Sequence, residues 1–312
     1  MRMFKLVTTM PDLLPHPSAD SRTTSSAEPP PFSGQQADNR RSESPPLLTT
    51  EAAFYQQQRA FEEAAAAAAA RDYDPDGPRS LAGIALRSFC LGLTAALGLS
   101  LSAYLLLAAR PSAPRLGRLP LFLAALAAFH FLEFWTTARY NAPAAKVSSF
   151  LLRANWPGYA VAHAAAALEC LLVALVWPAR DLAAPLLPGA GPLLVAAGGL
   201  LVLVGQAVRS LAMAEAGRSF NHIVQQQKRD SHVLVTSGVY AYLRHPSYFG
   251  FFWWALGTQL VLGNVVCFCA YAAVLWRFFS ARIRHEEEFL VRFFGDDYVQ
   301  YRRRVGVGIP FI

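Results

Sequence analysis

Long apolar runs alternate with short charged intervals along this chain, and the runs have the length of membrane-crossing helices. Ser88 to Ala109 carries no charge over 22 residues, enough as a helix to cross a hydrocarbon layer of about 30 Å. Leu119 to Ala138 predicts a second span, interrupted by Glu133, and Gly158 to Pro178 a third, interrupted by Glu169. Leu182 to Val208 is 27 residues without a charge and predicts a fourth span from Pro192 onward. His245 to Trp276 runs 32 residues without a formal charge. As one helix that block would reach about 48 Å, too long for an ordinary span. Gly263-Asn264, a strong turn dipeptide, breaks it. Backbone groups in lipid must be satisfied within helices or closed barrels, so helices over 246–262 and 265–284 are expected to form a hairpin. The expected fold class is an all-α integral membrane protein of about six transmembrane helices, the last two a tight helical hairpin, with a C-terminal cytosolic cofactor-binding region.

The pattern also divides the chain. Residues 1–80 form a polar tail, residues 81–208 the N-terminal spans, and residues 209–312 a region where polar residues crowd the ends of the spans. Residues 1–50 hold 8 Pro and 13 Ser or Thr, a composition that buries too little to offset ordering entropy and predicts disorder. Residues 51–71 turn to Ala, Glu and Gln, with seven consecutive alanines from Ala64, and predict a solvated helix. The breaker Asp74-Pro75-Asp76-Gly77-Pro78 ends it. The tail is expected to be dispensable for chemistry.

Composition sharpens this reading. Hydrophobic residues make up 54% and charged residues 16%, against roughly a quarter charged in soluble domains, which excludes an ordinary soluble enzyme. The tail has 8 basic and 11 acidic residues; the remaining 232 residues have 20 and 10. A basic, apolar body suits an anionic membrane surface. No basic run interleaved with aromatics lies outside the membrane-flanking segments, so nucleic acid is not an expected partner. The four cysteines sit in apolar stretches without C-x-x-C or zinc-ligand spacing, and read as small buried side chains. An even span count places Arg139, Lys146, Arg153, Arg209, Arg218, Lys228 and Arg229 on one face, cytosolic by the positive-inside rule. Arg110, Arg115 and Arg118 fall on the opposite face and conflict with that rule.

Chemistry concentrates in residues 209–312. Glu133 and Glu169, the carboxylates inside spans, read as interfacial or neutralised groups packed between helices. The later region offers Arg209 to His222, where a span end turns polar, and Ser231 to Tyr240, a short extended apolar stretch closed by Gly238. It also offers Arg244-His245-Pro246-Ser247-Tyr248, with Pro246 suited to the first turn of a helix, whose free N–H groups attract ligand acceptors. Arg282 and Glu286, four residues apart, share a helical face at the membrane boundary.

These residues resemble the isoprenylcysteine carboxyl methyltransferases. The likeness rests on A-G-R-S-F-N-H at 216–222, H-V-L-V-T-S-G-V-Y at 232–240, R-H-P-S-Y-F-G at 244–250, G-T-Q at 257–259, R-x-x-x-E-E at 282–287 and F-G-D-D-Y at 294–298. R-H-P-x-Y with a later E-E is shared with phospholipid N-methyltransferases and some membrane reductases; A-G-x-S-F-N-H with the Arg282 register narrows the assignment. The resemblance implies an endoplasmic reticulum enzyme using S-adenosyl-L-methionine to methylate the C-terminal carboxylate of a prenylated cysteine in CaaX-processed proteins. It implies a cofactor pocket of Gln225, His232, Val233, Leu234, Val235, Tyr240, His245, Pro246, Ser247, Tyr248 and Glu286. It implies that Arg282 and Arg209 face the substrate carboxylate and that Glu286 and Glu287 complete the catalytic set. Three consecutive glutamates leave open whether Glu287 or Glu288 takes the second role.

The residue types suit that reaction. A carboxylate is already ionised near neutral pH, so the reaction requires alignment rather than a general base. A guanidinium fork gives a carboxylate the two-point hold that lysine cannot. Phe251, Phe252, Trp253 and Trp254 read either as lining for a prenyl chain or as an interfacial aromatic belt. Two other readings compete: a phospholipid or small-amine methyltransferase with the same pocket, and a non-catalytic scaffold or transporter.

Overall fold

In the computed structural model, residues 50–107, 113–176, 191–228 and 232–312 are described. The Pro- and Ser-rich stretch expected to be disordered, Arg110, Ser231 and the start of the Leu182–Val208 run lie outside them. The Ala-rich stretch forms α1, Thr50–Arg71, which belongs up to Ala70 to the first of two compact units. The second unit carries α2 (Leu81–Leu107), the single turn α3 (Ala113–Leu116), α4 (Arg118–Tyr140), α5 (Gly158–Val176) and α6 (Gly191–Ala216). It continues with α7 (Pro246–Leu262), α8 (Val266–Phe294) and α9 (Asp296–Arg304).

The described residues are helical throughout their long elements, as the apolar runs predict. Five helices, α2, α4, α5, α6 and α8, are long and apolar enough to cross a membrane. The sixth expected span, α7, has 17 residues, about 26 Å by helical rise, and is the most enclosed, with Phe252, Trp254, Leu256, Gln259 and Leu262 all buried. Outward surfaces are apolar: Leu86, Phe89, Leu93 and Leu97 of α2 are exposed, as lipid-facing side chains are in a bundle that buries its backbone groups within helices. Two of the cysteines expected inside, Cys90 and Cys269, lie on such outward faces instead, because α2 and the start of α8 pack on one side only.

Glycines set the tightest contact. Gly198 and Gly205 of α6 meet Gly257 and Gly250 of α7, each pair seven residues apart. A Cβ on Gly205 would lie 2.6 Å from the Gly250 carbonyl oxygen, and one on Gly198 2.8 Å from that of Gly257. Without a hydrophobic drive between helices in lipid, such close backbone approach supplies the packing.

The far end of the bundle explains two puzzles of the sequence. Gly263 adopts φ +75° and ends α7, as the turn dipeptide predicts. Asn264 is buried, its amide donating to the Ala166 carbonyl at 2.9 Å and to Gln259 Oε1 at 3.0 Å. The Glu169 carboxylate accepts the N–H groups of Val265 (2.8 Å), Val266 (3.0 Å) and Cys267 (2.7 Å). An acid inside an apolar span is therefore the cap of α8, where free N–H groups and the helix dipole favour an anion. Arg115 is buried, and a guanidinium nitrogen of Arg118 lies against Gly263 at the C-terminal end of α7. Burial of Arg115 and the approach of Arg118 to a helix C-terminus give these two arginines a structural use apart from membrane orientation.

At the opposite end α8 continues ten residues beyond the expected boundary at 284, so Arg282, Glu286 and Glu287 share one helix. The last eight residues fold back over α7 and α8. The Arg244 N–H donates to the Gly306 carbonyl at 2.9 Å, and the indole N–H groups of Trp253 and Trp276 donate to the carbonyls of Gly308 (3.2 Å) and Pro310 (2.9 Å). Val307 and Ile309 are buried beneath. Of the aromatic run 251–254, Trp254 packs on Phe129 with ring centres 4.7 Å apart, a core role, while Trp253 anchors this return.

Candidate active site

The site forms where α4 and α6 end, α7 begins and α8 leaves the apolar layer. His245 is the N-cap residue of α7 and Pro246 its first helical residue, an economical start because proline lacks only an N–H that has no partner there. Tyr248 then projects toward α8, its ring stacked on His245 with centres 5.5 Å apart and planes 7° apart.

Two polar networks meet around this turn. In the first, the Tyr248 hydroxyl joins Arg282 to Glu286: Arg282 Nε donates to the hydroxyl oxygen at 2.8 Å, and the hydroxyl donates to Glu286 Oε2 at 2.5 Å. Arg282 Nη2 also donates to the His222 carbonyl at 2.6 Å, and its guanidinium lies over the rings of Tyr248 and Phe278. The i,i+4 pair of the sequence is thus bridged by a phenol. Arg282 has five N–H donors; among the described residues two are used, and both on Nη1 with one on Nη2 are not.

In the second network, Arg209 turns to α4. Its Nε donates to Glu133 Oε1 and its Nη2 to Glu133 Oε2 at 2.8 Å. Nη1 reaches the Ser247 hydroxyl at 2.9 Å and carbonyl at 3.2 Å. The rings of Phe129 and Phe251 flank the guanidinium at 5.4 and 5.5 Å. Arg209, expected to face substrate, is therefore held in a buried ion pair, and Ser247, expected beside the cofactor, is its partner. His222 lies between the networks, its Nδ1 3.8 Å from Glu133 Oε2. Burial pushes its pKa down to about 4; the Glu133 charge works the other way, and Arg209 and Arg282 add to the lowering. At neutral pH the ring is uncharged.

Glu286 and Glu287 diverge, as neighbours on a helix do. Glu287 is buried and accepts from Arg244 Nε at 2.6 Å, with His245 Nε2 at 3.2 Å and Arg302 Nη1 at 3.5 Å. It ties α7, α8 and α9 together, and Glu288 is exposed. Glu286 instead borders a cavity.

That cavity gathers Gln225, His232, Val233 and Glu286 with Ser219, Asn221 and Ile223, against Phe289, Leu290, Phe293 and Phe294 of α8. Four of the sequence-expected cofactor residues thus share one space. Leu234 and Val235, the next residues in the chain, are half-buried and are not among its lining. Tyr240 donates to the Ala212 carbonyl at 3.2 Å; burial, then the Glu286 charge, raises its pKa. Its turn is held by Glu215, which accepts the Val239 N–H at 2.8 Å and occupies the space a side chain on Gly238 (φ +56°) would need. Glu133 is packed between helices and neutralised, as its place in an apolar run predicts; its partner Arg209, the role of Glu215, and the Glu287 partner of Arg244, a residue that stands in the R-H-P-S-Y-F-G motif, were not read from the sequence.

The sequence model of the isoprenylcysteine carboxyl methyltransferase family matches residues 198–292. The chain is 47% identical over 192 residues to the protein-S-isoprenylcysteine O-methyltransferase of Saccharomyces cerevisiae, covering 62% of this chain and 79% of that one. It is 37% identical over 229 residues to that of Tribolium castaneum, covering 73% and 76%. A solved structure of a eukaryotic intramembrane Ras methyltransferase, isoprenylcysteine carboxyl methyltransferase, superposes with a TM-score of 0.65 at 33% identity, covering 83% of this chain and 86% of that one. A multi-pass bundle whose C-terminal third carries the matched motifs on one polar end, with relatives this similar over most of their length, belongs to the isoprenylcysteine carboxyl methyltransferase family of membrane enzymes.

Proposed function

We propose that this enzyme transfers the methyl group of S-adenosyl-L-methionine to the C-terminal carboxylate of a prenylated cysteine in CaaX-processed proteins, giving a methyl ester. The reaction is placed at the cytosolic face of the endoplasmic reticulum membrane. The observation that carries the reading is Arg282: a guanidinium with three N–H donors uncommitted among the described residues, joined through Tyr248 to Glu286 at the border of a cavity, where the apolar layer gives way to polar loops.

The cavity's side chains suit the donor chemically. Glu286 offers a carboxylate to its cationic groups, Gln225 and His232 offer hydrogen bonds, and the α8 aromatics offer apolar surface to an adenine. When bound, S-adenosyl-L-methionine supplies an electrophilic methyl group on a sulfonium. The protein's own contribution is alignment. Arg282, pinned through Nε to Tyr248 and through Nη2 to the His222 carbonyl, keeps one edge of its fork in place for a carboxylate. Glu286 accepts from the Tyr248 hydroxyl, so cofactor-side and substrate-side residues are mechanically linked. Opposite charges approach and are dispersed in this reaction, so exclusion of water by residues 219–228 and by α8 favours the transition state.

The test is methylation of N-acetyl-S-farnesylcysteine by the full chain in phospholipid vesicles, beside phosphatidylethanolamine as acceptor. Ester formation with the former alone is the expected result. Transfer to the amine in its place would establish a phospholipid methyltransferase.

A further inference from the structure

Arg209 and Arg282 look equivalent in sequence, yet their donors are used differently. Among the described residues, four of the five Arg209 N–H groups are taken: two by Glu133 and two by Ser247. One is left, which cannot fork a carboxylate. Glu133 is 1% exposed and Arg209 7%; a carboxylate and a guanidinium at such depth persist because each satisfies the other. Glu133 lies on α4, outside the residues matched by the family model, and its Oε2 is 3.8 Å from Nδ1 of His222, whose carbonyl holds Arg282.

We infer that Glu133 is a positioning residue of the methyltransferase site: it neutralises and holds Arg209, which in turn fixes the first turn of α7, so that of these two arginines Arg282 alone receives the substrate carboxylate. This rests on the function proposed above. An unneutralised Arg209 would set a second cation close to the Arg282 site and draw the carboxylate away from the line of attack.

The measurement is steady-state kinetics of the full chain in phosphatidylcholine vesicles with N-acetyl-S-farnesylcysteine, together with S-adenosyl-L-methionine affinity by calorimetry. Glu133→Gln keeps the shape and removes the charge; kcat falls at least tenfold, KM for the acid is unchanged or lower, and cofactor affinity stays within twofold. The double variant Glu133→Gln/Arg209→Gln removes both charges and recovers at least tenfold in kcat over the single variant. Three results overturn the inference: wild-type kcat in Glu133→Gln, KM and cofactor affinity weakened together, or a double variant as inactive as the single one. Wild-type vesicles that bind the cofactor yet leave the farnesylcysteine unmethylated would sink the proposed function itself, whereas normal wild-type turnover beside an unaffected Glu133→Gln sinks the positioning role alone.

Discussion

At the scale of single residues, the site is a matter of which donors are already spent. Arg282 retains an open edge, so Arg282→Ala should abolish methyl transfer while cofactor binding by calorimetry persists; full retained turnover would refute its role. Glu286 is committed by one contact to Tyr248 and otherwise faces the cavity, so Glu286→Ala should weaken cofactor affinity at least tenfold. His222 carries a pH signature. Its pKa is about 4 in the folded protein against about 6.5 when free, so the unfolded chain takes the proton first. The stability it contributes is present above about pH 6.5 and is lost as pH falls toward 4, by at most about 3 kcal/mol. The melting temperature should drop over that window, and His222→Asn should flatten the slope. The resemblance motifs named Arg282 and, of the cavity's lining, Gln225, His232, Val233 and Glu286 before the fold was seen. The pairing of Arg209 was not legible, because its partner lies 76 residues earlier in the chain and no local spacing connects them.

At the scale of elements, two helix contacts are decided by small features. The approach of α6 to α7 leaves no room for a side chain at Gly205 or Gly250, and Gly205→Leu should lower the melting temperature and scatter the Arg209–Ser247 contact, with activity lost in proportion. Glu169 satisfies three N–H groups at the start of α8. Glu169→Ala removes a cap, a loss of about 1–2 kcal/mol, readable in thermal unfolding with the cofactor site intact. Charge-free runs located these helices well because crossing lipid demands apolar length. They misplaced the end of α8, where the chain leaves the apolar layer but continues its helix into polar surroundings, and a hydropathy pattern marks only the first of those events.

At the scale of the whole molecule, the C-terminal return makes the catalytic end one body. Residues 305–312 are anchored to Arg244, Trp253 and Trp276, and α9 adds Arg302 to the Glu287 cluster and a 2.6 Å bond from the Tyr301 hydroxyl to the Tyr240 carbonyl. Removing residues 305–312 should therefore reduce turnover at least tenfold, and limited proteolysis should then cut near α9, although that segment contributes no side chain to the cavity.

The sequence alone determined that this is an apolar helical bundle with its polar chemistry gathered in the last third, because both facts are written in hydropathy and in motifs whose residues lie close along the chain. Which arginine is open and which is sealed, why Glu133 and Glu169 tolerate an apolar span, and how Glu286 and Glu287 part company were decided only by the tertiary structure. Each depends on a partner from a distant helix, and a buried charge acquires its meaning from the group that compensates it.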